Sequence, residues 1–454
     1  MQPPSPTTLA VLALLAACVS GFAIRKAWGL RPVVWLGWCA PVPLLLLLPL
    51  LSPWAIAGSA LLAGLIGYSG YLGLFRLVLP ARAATTTWLA LAGGLVLLFW
   101  LTRLLDTALP SQLNVLAWPL ALVSLEAVIA RVSPHGDALT LATSQASALP
   151  LVQIAALFGL RGVVFTLGIG SAWLVEIIRV LCLGDALAGL ALSSALLAGV
   201  VAYGLVRLRR PSPAQTPIVT LVSSDTRNDD DQALDAYAAA IAGAPAQGVI
   251  VLPEKRFGSS EAIDQILLDL ARSRQSTVIA GLETAHDARR FNIARAYAPD
   301  GQSRDYAKRF LVPGLEDGLH PGSKPLIVGD GIALAICRDA FFAASTRSYA
   351  PPAARMLAVP AWDFDVDAWV RARLAVLRGI ECGLPVLRSA RNGLLTVSDP
   401  YGRIVAETAS TAAITTISAP LPTALPALTL YTRGGRHFDL LCLALTLALL
   451  ASSL

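Results

Sequence analysis

The sequence predicts an α-helical membrane bundle joined to one layered α/β domain. Three observations carry that prediction. Of 454 residues, 56% are hydrophobic and only 14% are charged, against about 25% charged in an average soluble protein. The charges are also segregated: residues 1–206 hold five acidic side chains, Asp106, Glu126, Asp137, Glu176 and Asp185, and all the others follow. Beyond Arg207 the long apolar runs give way to short β-rich runs that alternate with helix-like ones.

The apolar runs set the membrane part. A transmembrane helix needs roughly 20 mostly apolar residues. Seven runs qualify as candidates, at about 8–24, 33–51, 54–75, 86–102, 112–130, 160–180 and 187–206, and an eighth at 438–453 closes the chain. The expected organisation is a bundle of about seven helices over 1–210, a soluble domain over 211–432 and a last helix over 433–454. Leu15-Ala16-Ala17-Cys18 has the look of a lipoprotein cleavage site. A signal peptide wants a basic start, and residues 1–7 carry no Lys or Arg, so a retained first helix is expected.

The net charge of +6 does not mark a nucleic-acid partner. The basic residues flank apolar spans, where Lys and Arg meet lipid headgroups, and no aromatic–basic interleaving accompanies them. The six cysteines include no CxxC pair and the four histidines show no ligand spacing, so neither a metal site nor a disulfide framework is expected. One bridge, Cys337 to Cys382, is conceivable outside a cell. No cofactor is expected.

The soluble part reads as strands at Ile218–Val222, Gly248–Leu252, Thr277–Gly281, Ile332–Ile336, Met356–Val359, Pro385–Arg388 and Leu394–Val397. Helices are expected at Gln232–Ala242, Ser260–Arg272 and Val366–Cys382. Alternating strands and helices imply a layered α/β domain. Pro211-Ser212-Pro213 marks the way in and the Pro-rich 420–426 the way out.

Three local signals carry chemistry. Val249-Ile250-Val251-Leu252-Pro253-Glu254 is a buried strand ending in a carboxylate. Lys308-Arg309-Phe310-Leu311-Val312-Pro313 brings an ammonium, with Glu316 three residues on. Ala333-Leu334-Ala335-Ile336-Cys337-Arg338-Asp339 is a strand ending in a thiol. Sites in open α/β sheets gather at strand ends. Each signal alone has a plain structural explanation: a core cysteine, a solvated strand end, a charged loop. Their order and spacing together are more specific.

That order resembles the Glu-Lys-Cys triad of the carbon–nitrogen hydrolase (nitrilase) superfamily, and the whole chain resembles the apolipoprotein N-acyltransferase family. Lys308 to Glu316 is similar to that family's Lys-x-His-Leu-Val-Pro-Phe-Gly-Glu segment, and Phe291-Asn292 to its Tyr-Asn. Arg378-Gly379-Ile380-Glu381, Asn392-Gly393 and Asp399-Pro400-Tyr401-Gly402-Arg403 resemble its Arg-Ala-x-Glu, Asn-Gly and Asp-Pro-x-Gly-Arg. Leu430-Tyr431-Thr432-Arg433-Gly434-Gly435 resembles the family's approach to its last span. The departures are Cys337-Arg338-Asp339 for Cys-Tyr-Glu, Leu252 for the Trp of Trp-Pro-Glu, and a much shorter arm between Glu316 and the cysteine strand.

The resemblance implies a nitrilase-type αββα sandwich in which Glu254 is the general base, Lys308 the oxyanion partner, Cys337 the nucleophile and Glu316 a second carboxylate. It adds Asn292 and Asp339 as substrate-pocket candidates. The implied partners are a phospholipid acyl donor, an amine acceptor such as a lipoprotein N-terminus, and the bacterial inner membrane. Two rival functions stand beside it: a membrane-tethered amidase or nitrilase, and a transporter or receptor with an inactive domain. On topology the two arguments conflict. Basic residues cluster after the first, third, fifth and seventh spans, which by the positive-inside rule puts the domain in the cytoplasm. The resemblance implies the periplasm.

Overall fold

The structure is a computed structural model, and it describes residues 5–183, 187–210, 217–226, 231–349, 353–421, 429–434 and 437–452. The expected entry linker and most of the Pro-rich exit lie outside those residues. Contacts divide the chain into two compact units, Met1–Arg207 with Gly434–Leu454, and Leu208–Arg433.

In the first unit, six helices among the described residues are long and apolar enough to cross a membrane: Pro6–Ala27, Pro53–Val78, Ala81–Ala108, Ser111–Val132, Ala155–Cys182 and Ala188–Leu208. The candidate span at 33–51 differs from expectation. It is broken into two short helices, Leu36–Cys39 and Val42–Leu47. The cause is Pro41 and Pro43, whose rings remove backbone donors and confine the chain. At 1.5 Å per residue, Leu36–Leu47 reaches about 18 Å, short of a hydrocarbon core of about 30 Å.

Small residues let these helices touch. A Cβ on Gly64 would meet the Ala92 backbone at 2.7 Å, and one on Gly67 would meet Ile24 at 2.4 Å, the close approach typical of helices packing in lipid. The closing helix, His437–Ser452, returns to the same unit. Ser124 Oγ and Thr446 Oγ1 share a hydrogen bond of 2.9 Å, and Arg131 meets Asp439 at 2.9 Å. Within the run Ala155–Leu183, Gly159 takes φ 67° and breaks the helix.

The second unit holds thirteen strands among the described residues: β1 (Ile218–Ser223), β2 (Val249–Val251), β3 (Phe257–Gly258), β4 (Thr277–His286), β5 (Arg289–Tyr297), β6 (Ser303–Ala307), β7 (Ile327–Val328), β8 (Ile332–Leu334), β9 (Met356–Trp362), β10 (Val386–Arg391), β11 (Leu394–Ser398), β12 (Ile404–Ala409) and β13 (Thr415–Pro420). They form two sheets. One runs β13-β1-β2-β4-β5-β6, with β3 beside β4; the other runs β12-β11-β10-β9-β8-β7.

Three apolar layers define the sandwich. Val219, Leu221, Val251 and Ile279 of the first sheet pack on Leu334, Ala358, Leu387 and Val397 of the second. The outer face of the first sheet buries Tyr237, Ile241 and Leu267 of the helices Asp231–Ala242 and Glu261–Arg274. The outer face of the second buries Ala375 and Cys382 of the helix Ala368–Cys382. Helix, sheet, sheet, helix is the αββα order. Two reciprocal bonds lock the sheets together, Ser223 Oγ to Ala390 O at 2.9 Å and Ser389 Oγ to Val222 O at 2.8 Å.

Candidate active site

Three strand ends and the strand β5 deliver the polar residues. The chain leaving β2 turns sharply: Lys255 takes φ 46°, and Glu254 N donates to Ala361 O of the facing sheet at 3.3 Å. This turn sits directly on β4. A Cβ on Gly281 would meet Pro253 O at 2.2 Å and Glu254 Cα at 2.5 Å, so only glycine leaves room for the turn that presents Glu254. Asn292 lies on β5. Lys308 follows β6, its N–H donating to Asn292 O at 2.8 Å. Cys337 begins a short 3-10 turn after β8 and takes φ 42°, a left-handed conformation that costs a non-glycine residue about 1 kcal/mol or more.

These side chains form one buried network. The Lys308 ammonium donates to Glu254 Oε1 at 2.7 Å and meets Glu316 Oε2 at 2.8 Å. Asn292 Nδ2 donates to Glu254 Oε1 at 2.6 Å and to Glu316 Oε1 at 2.8 Å. Lys255 meets Glu316 Oε1 at 2.9 Å, and Val312 N donates to Glu316 Oε2 at 2.8 Å. Glu254, Asn292, Lys308 and Glu316 are all buried. Two carboxylates are thus held by two ammonium groups and one amide, which is how buried charge becomes tolerable.

Electrostatics set the protonation. Burial pulls the Lys308 ammonium down, but Glu254, Cys337 and Glu316 outweigh that and hold it well up, so it stays charged. Burial pushes the Glu316 carboxyl up, but Lys308 and Lys255 outweigh it and hold it below the usual range. Burial, and then the charge of Glu254, push the Cys337 thiol well up, with Lys308 only partly opposing. The resting sulfur is therefore a neutral thiol, half-buried, donating weakly to Trp362 O at 3.6 Å. Among the carboxylates, Glu254 acts on it most strongly.

Asp339 is placed differently from the pocket role expected of it. It is fully buried, and both oxygens are already occupied. Oδ1 accepts from Arg309 N at 3.1 Å and Phe310 N at 2.9 Å; Oδ2 accepts from Ile336 N at 2.9 Å and Tyr306 OH at 2.8 Å. Burial raises its carboxyl to about 6 despite those donors. It ties the segment after Lys308 to the turn bearing Cys337, and touches nothing that could be substrate. Asn292 is equally enclosed, and its amide serves the two carboxylates. Sequence reasoning missed Lys255; its adjacency to Glu254 was visible, but not the positive φ that folds it back onto Glu316. It also missed Arg388, which pairs with Asp363 at 2.5 Å, both groups acting on Cys337.

No family model matches the chain. A curated apolipoprotein N-acyltransferase of Geobacter metallireducens is 23% identical over 452 residues, covering 86% of each chain. Among solved structures, a CN-hydrolase superfamily protein of Xanthomonas campestris is 20% identical, with a TM-score of 0.40, covering 45% of this chain and 91% of its own. An amidase from Nesterenkonia sp. is 21% identical, with a TM-score of 0.40, covering 46% and 92%. Apolar helices flank an α/β sandwich in the linear order of the chain, and its similarity to an apolipoprotein N-acyltransferase runs through both parts.

Proposed function

We propose that this chain is a membrane-bound N-acyltransferase, which moves an acyl chain from a phospholipid through a Cys337 thioester to an amine, the N-terminal amine of a lipoprotein. The observation that carries this is the buried cluster of Glu254, Lys308, Glu316 and Asn292 acting on a half-buried thiol, in a chain with six helices of membrane-spanning length. A hydrolase of small soluble amides has no use for those helices. A phospholipid donor does, because its tails stay in hydrocarbon while its ester enters the domain.

The chemistry follows from the residues. Glu254 takes the thiol proton as Cys337 Sγ attacks the ester carbonyl. The oxyanion forms beside the fixed charge of Lys308; losing one such donor typically costs about 100- to 1000-fold in rate. Collapse breaks the C–O bond, the proton passes to the leaving oxygen, and a lysophospholipid departs. The amine then attacks the thioester, gives a proton to the carboxylate, and leaves as an amide with the thiol restored. Glu316, tied to both lysines, holds Lys308 in place. The same reading puts the domain in the periplasm and the helices in the inner membrane.

The test is purified full-length protein with a phospholipid labelled in its acyl chain and a diacylated lipopeptide. The expected result is a labelled adduct at Cys337 by mass spectrometry, and amide product only when the amine is present. Cys337→Ala and Cys337→Ser should remove both while the protein still inserts and folds. Free fatty acid at the same rate without an amine would make the chain a hydrolase, and near-full activity in either variant would remove Cys337 as nucleophile.

A further inference from the structure

The Cys337 thiol has a second set of charged neighbours, supplied by the second sheet. Its Sγ donates to Trp362 O at 3.6 Å, and Trp362 is the last residue of β9. That carbonyl shares one planar peptide with the N–H of Asp363, which donates to Arg391 O at 2.9 Å. The side chain of Asp363 is fixed as well. Its Oδ1 accepts from Arg388 of β10 at 2.5 Å. Its Oδ2 lies against Gly393, where a Cβ would meet it at 2.3 Å. The Asp363 and Arg388 side chains are only 1% and 2% exposed, so the pair is out of reach of solvent screening.

Buried charge is tolerated where it is paired and fully hydrogen-bonded. Asp363 meets only the first condition, because Oδ2 has no hydrogen-bond partner among the described residues. Such exceptions are few in native proteins, and this one is a single residue from the carbonyl that receives the thiol. Two effects reach the sulfur from here. A carbonyl accepts from a thiol and repels a thiolate, so the bond to Trp362 O favours the protonated form. The charges act in opposite senses. Burial and Glu254 push the Cys337 thiol up and Lys308 opposes them; Asp363 adds to the rise and Arg388 to the opposition. Burial pushes the Asp363 carboxyl up in turn and Arg388 draws it down, and Asp367 and Arg371 are further charges acting on it.

We propose that Asp363 and Arg388 are positioning residues for the nucleophile: Asp363 fixes the Trp362 carbonyl that receives the thiol and balances the Arg388 charge beside it, so the resting sulfur stays protonated until Glu254 takes the proton. This rests on the reading of Cys337 as the nucleophile. Without the Asp363 charge, Arg388 stands alone and stabilises a thiolate.

The test is the pH profile of Cys337 alkylation by iodoacetamide, read by mass spectrometry on the full-length protein without donor or acceptor. Asp363→Asn keeps the shape and the acceptor for Arg388 but removes the negative charge. Its profile should move to lower pH, with alkylation at least about fivefold faster at pH 8. Asp363→Ser makes the same change of charge with a smaller side chain and should shift the profile likewise. Removing both charges, in Asp363→Asn combined with Arg388→Met, should return the rate to within about threefold of the wild type. A site that had merely loosened would do the opposite, because the double variant disturbs more packing and exposes the thiol further. An unmoved profile in the folded single variants, or a double variant faster than Asp363→Asn, would overturn the inference. No acyl group enters this readout. A shifted profile in a protein that forms no thioester from phospholipid would keep the inference and remove the proposed function; acyl transfer with an unmoved profile would do the reverse.

Discussion

At the residue scale, the proposed chemistry gives Cys337 and the two carboxylates different tasks. The thiol is held protonated by burial and by Glu254, so alkylation by iodoacetamide must wait for ionisation. Thiolate supply rises with pH until the pKa is passed. The alkylation rate at Cys337 should therefore climb about tenfold per pH unit from pH 7 to pH 9; a plateau below pH 8 would mean a preformed thiolate. Cys337 should still react ahead of Cys382, which is fully buried under the second sheet. The carboxylates should separate in a single-turnover assay. Glu254→Gln keeps the shape but loses the proton acceptor, and acyl-Cys337 should fail to accumulate, a loss of about 100- to 10000-fold. Glu316→Gln should still form the adduct, more slowly, because Glu316 bonds the lysines and not the sulfur. An adduct at the wild-type rate in Glu254→Gln would transfer the role of base to Glu316.

At the element scale, the site depends on how closely two chain segments pass. Gly281→Ala would drive a methyl into Pro253 O and Glu254 Cα. Overpacking of that kind typically costs about 1–3 kcal/mol, and a shift of about 1 Å in a catalytic group can cost about 100-fold. The expected outcome is a folded protein with at least tenfold less acyl-enzyme, read by the same trapping assay beside a thermal melt. The strands legible in the sequence were the ones buried on both faces, such as β2, β9 and β10. Those missed carry charge outward. β5 opens on Arg289 and Arg290, and half the residues of β12 and of β13 are exposed. β12 and β13 give the core few side chains, among them Ala406, Ile417 and Ala419, too few to register as an apolar period. The candidate site followed the pattern in part. Glu254 and Cys337 were candidates because each follows an apolar strand, and Lys308 by its place in the Glu-Lys-Cys order, since β6 before it is mostly exposed. Asp339 was a pocket candidate through the family resemblance alone, and nothing local shows that four donors converge on it.

At the scale of the whole molecule, basic residues need not report which side faces the cytoplasm. Arg25 and Lys26 sit in the last turn of Pro6–Ala27, Arg131 in that of Ala117–Val132, and Arg207 in that of Ala188–Leu208. Cations at helix C-termini are stabilised by the helix dipole, by about 0.3–1 kcal/mol each at exposed positions. That gives the bias a local cause independent of orientation, and removes its force against a periplasmic domain. The side can be measured directly. Ala285→Cys, exposed at the β4–β5 hairpin, should be labelled by a membrane-impermeant maleimide in cells whose outer membrane alone has been opened. Labelling only after full lysis would put the domain in the cytoplasm and remove periplasmic lipoproteins as substrates.

The return of His437–Ser452 to the first unit also imposes an order in time. Ser124 and Arg131 are synthesised early, but their partners Thr446 and Asp439 emerge only after all of Leu208–Arg433 has been made. At about 5–20 residues per second the delay is roughly 15–65 s. Through that interval the Ser124 hydroxyl and the Arg131 guanidinium lack the partners they have in the folded unit. A ribosome that stalls within the domain would leave the membrane part unfinished, however well its first helices had inserted.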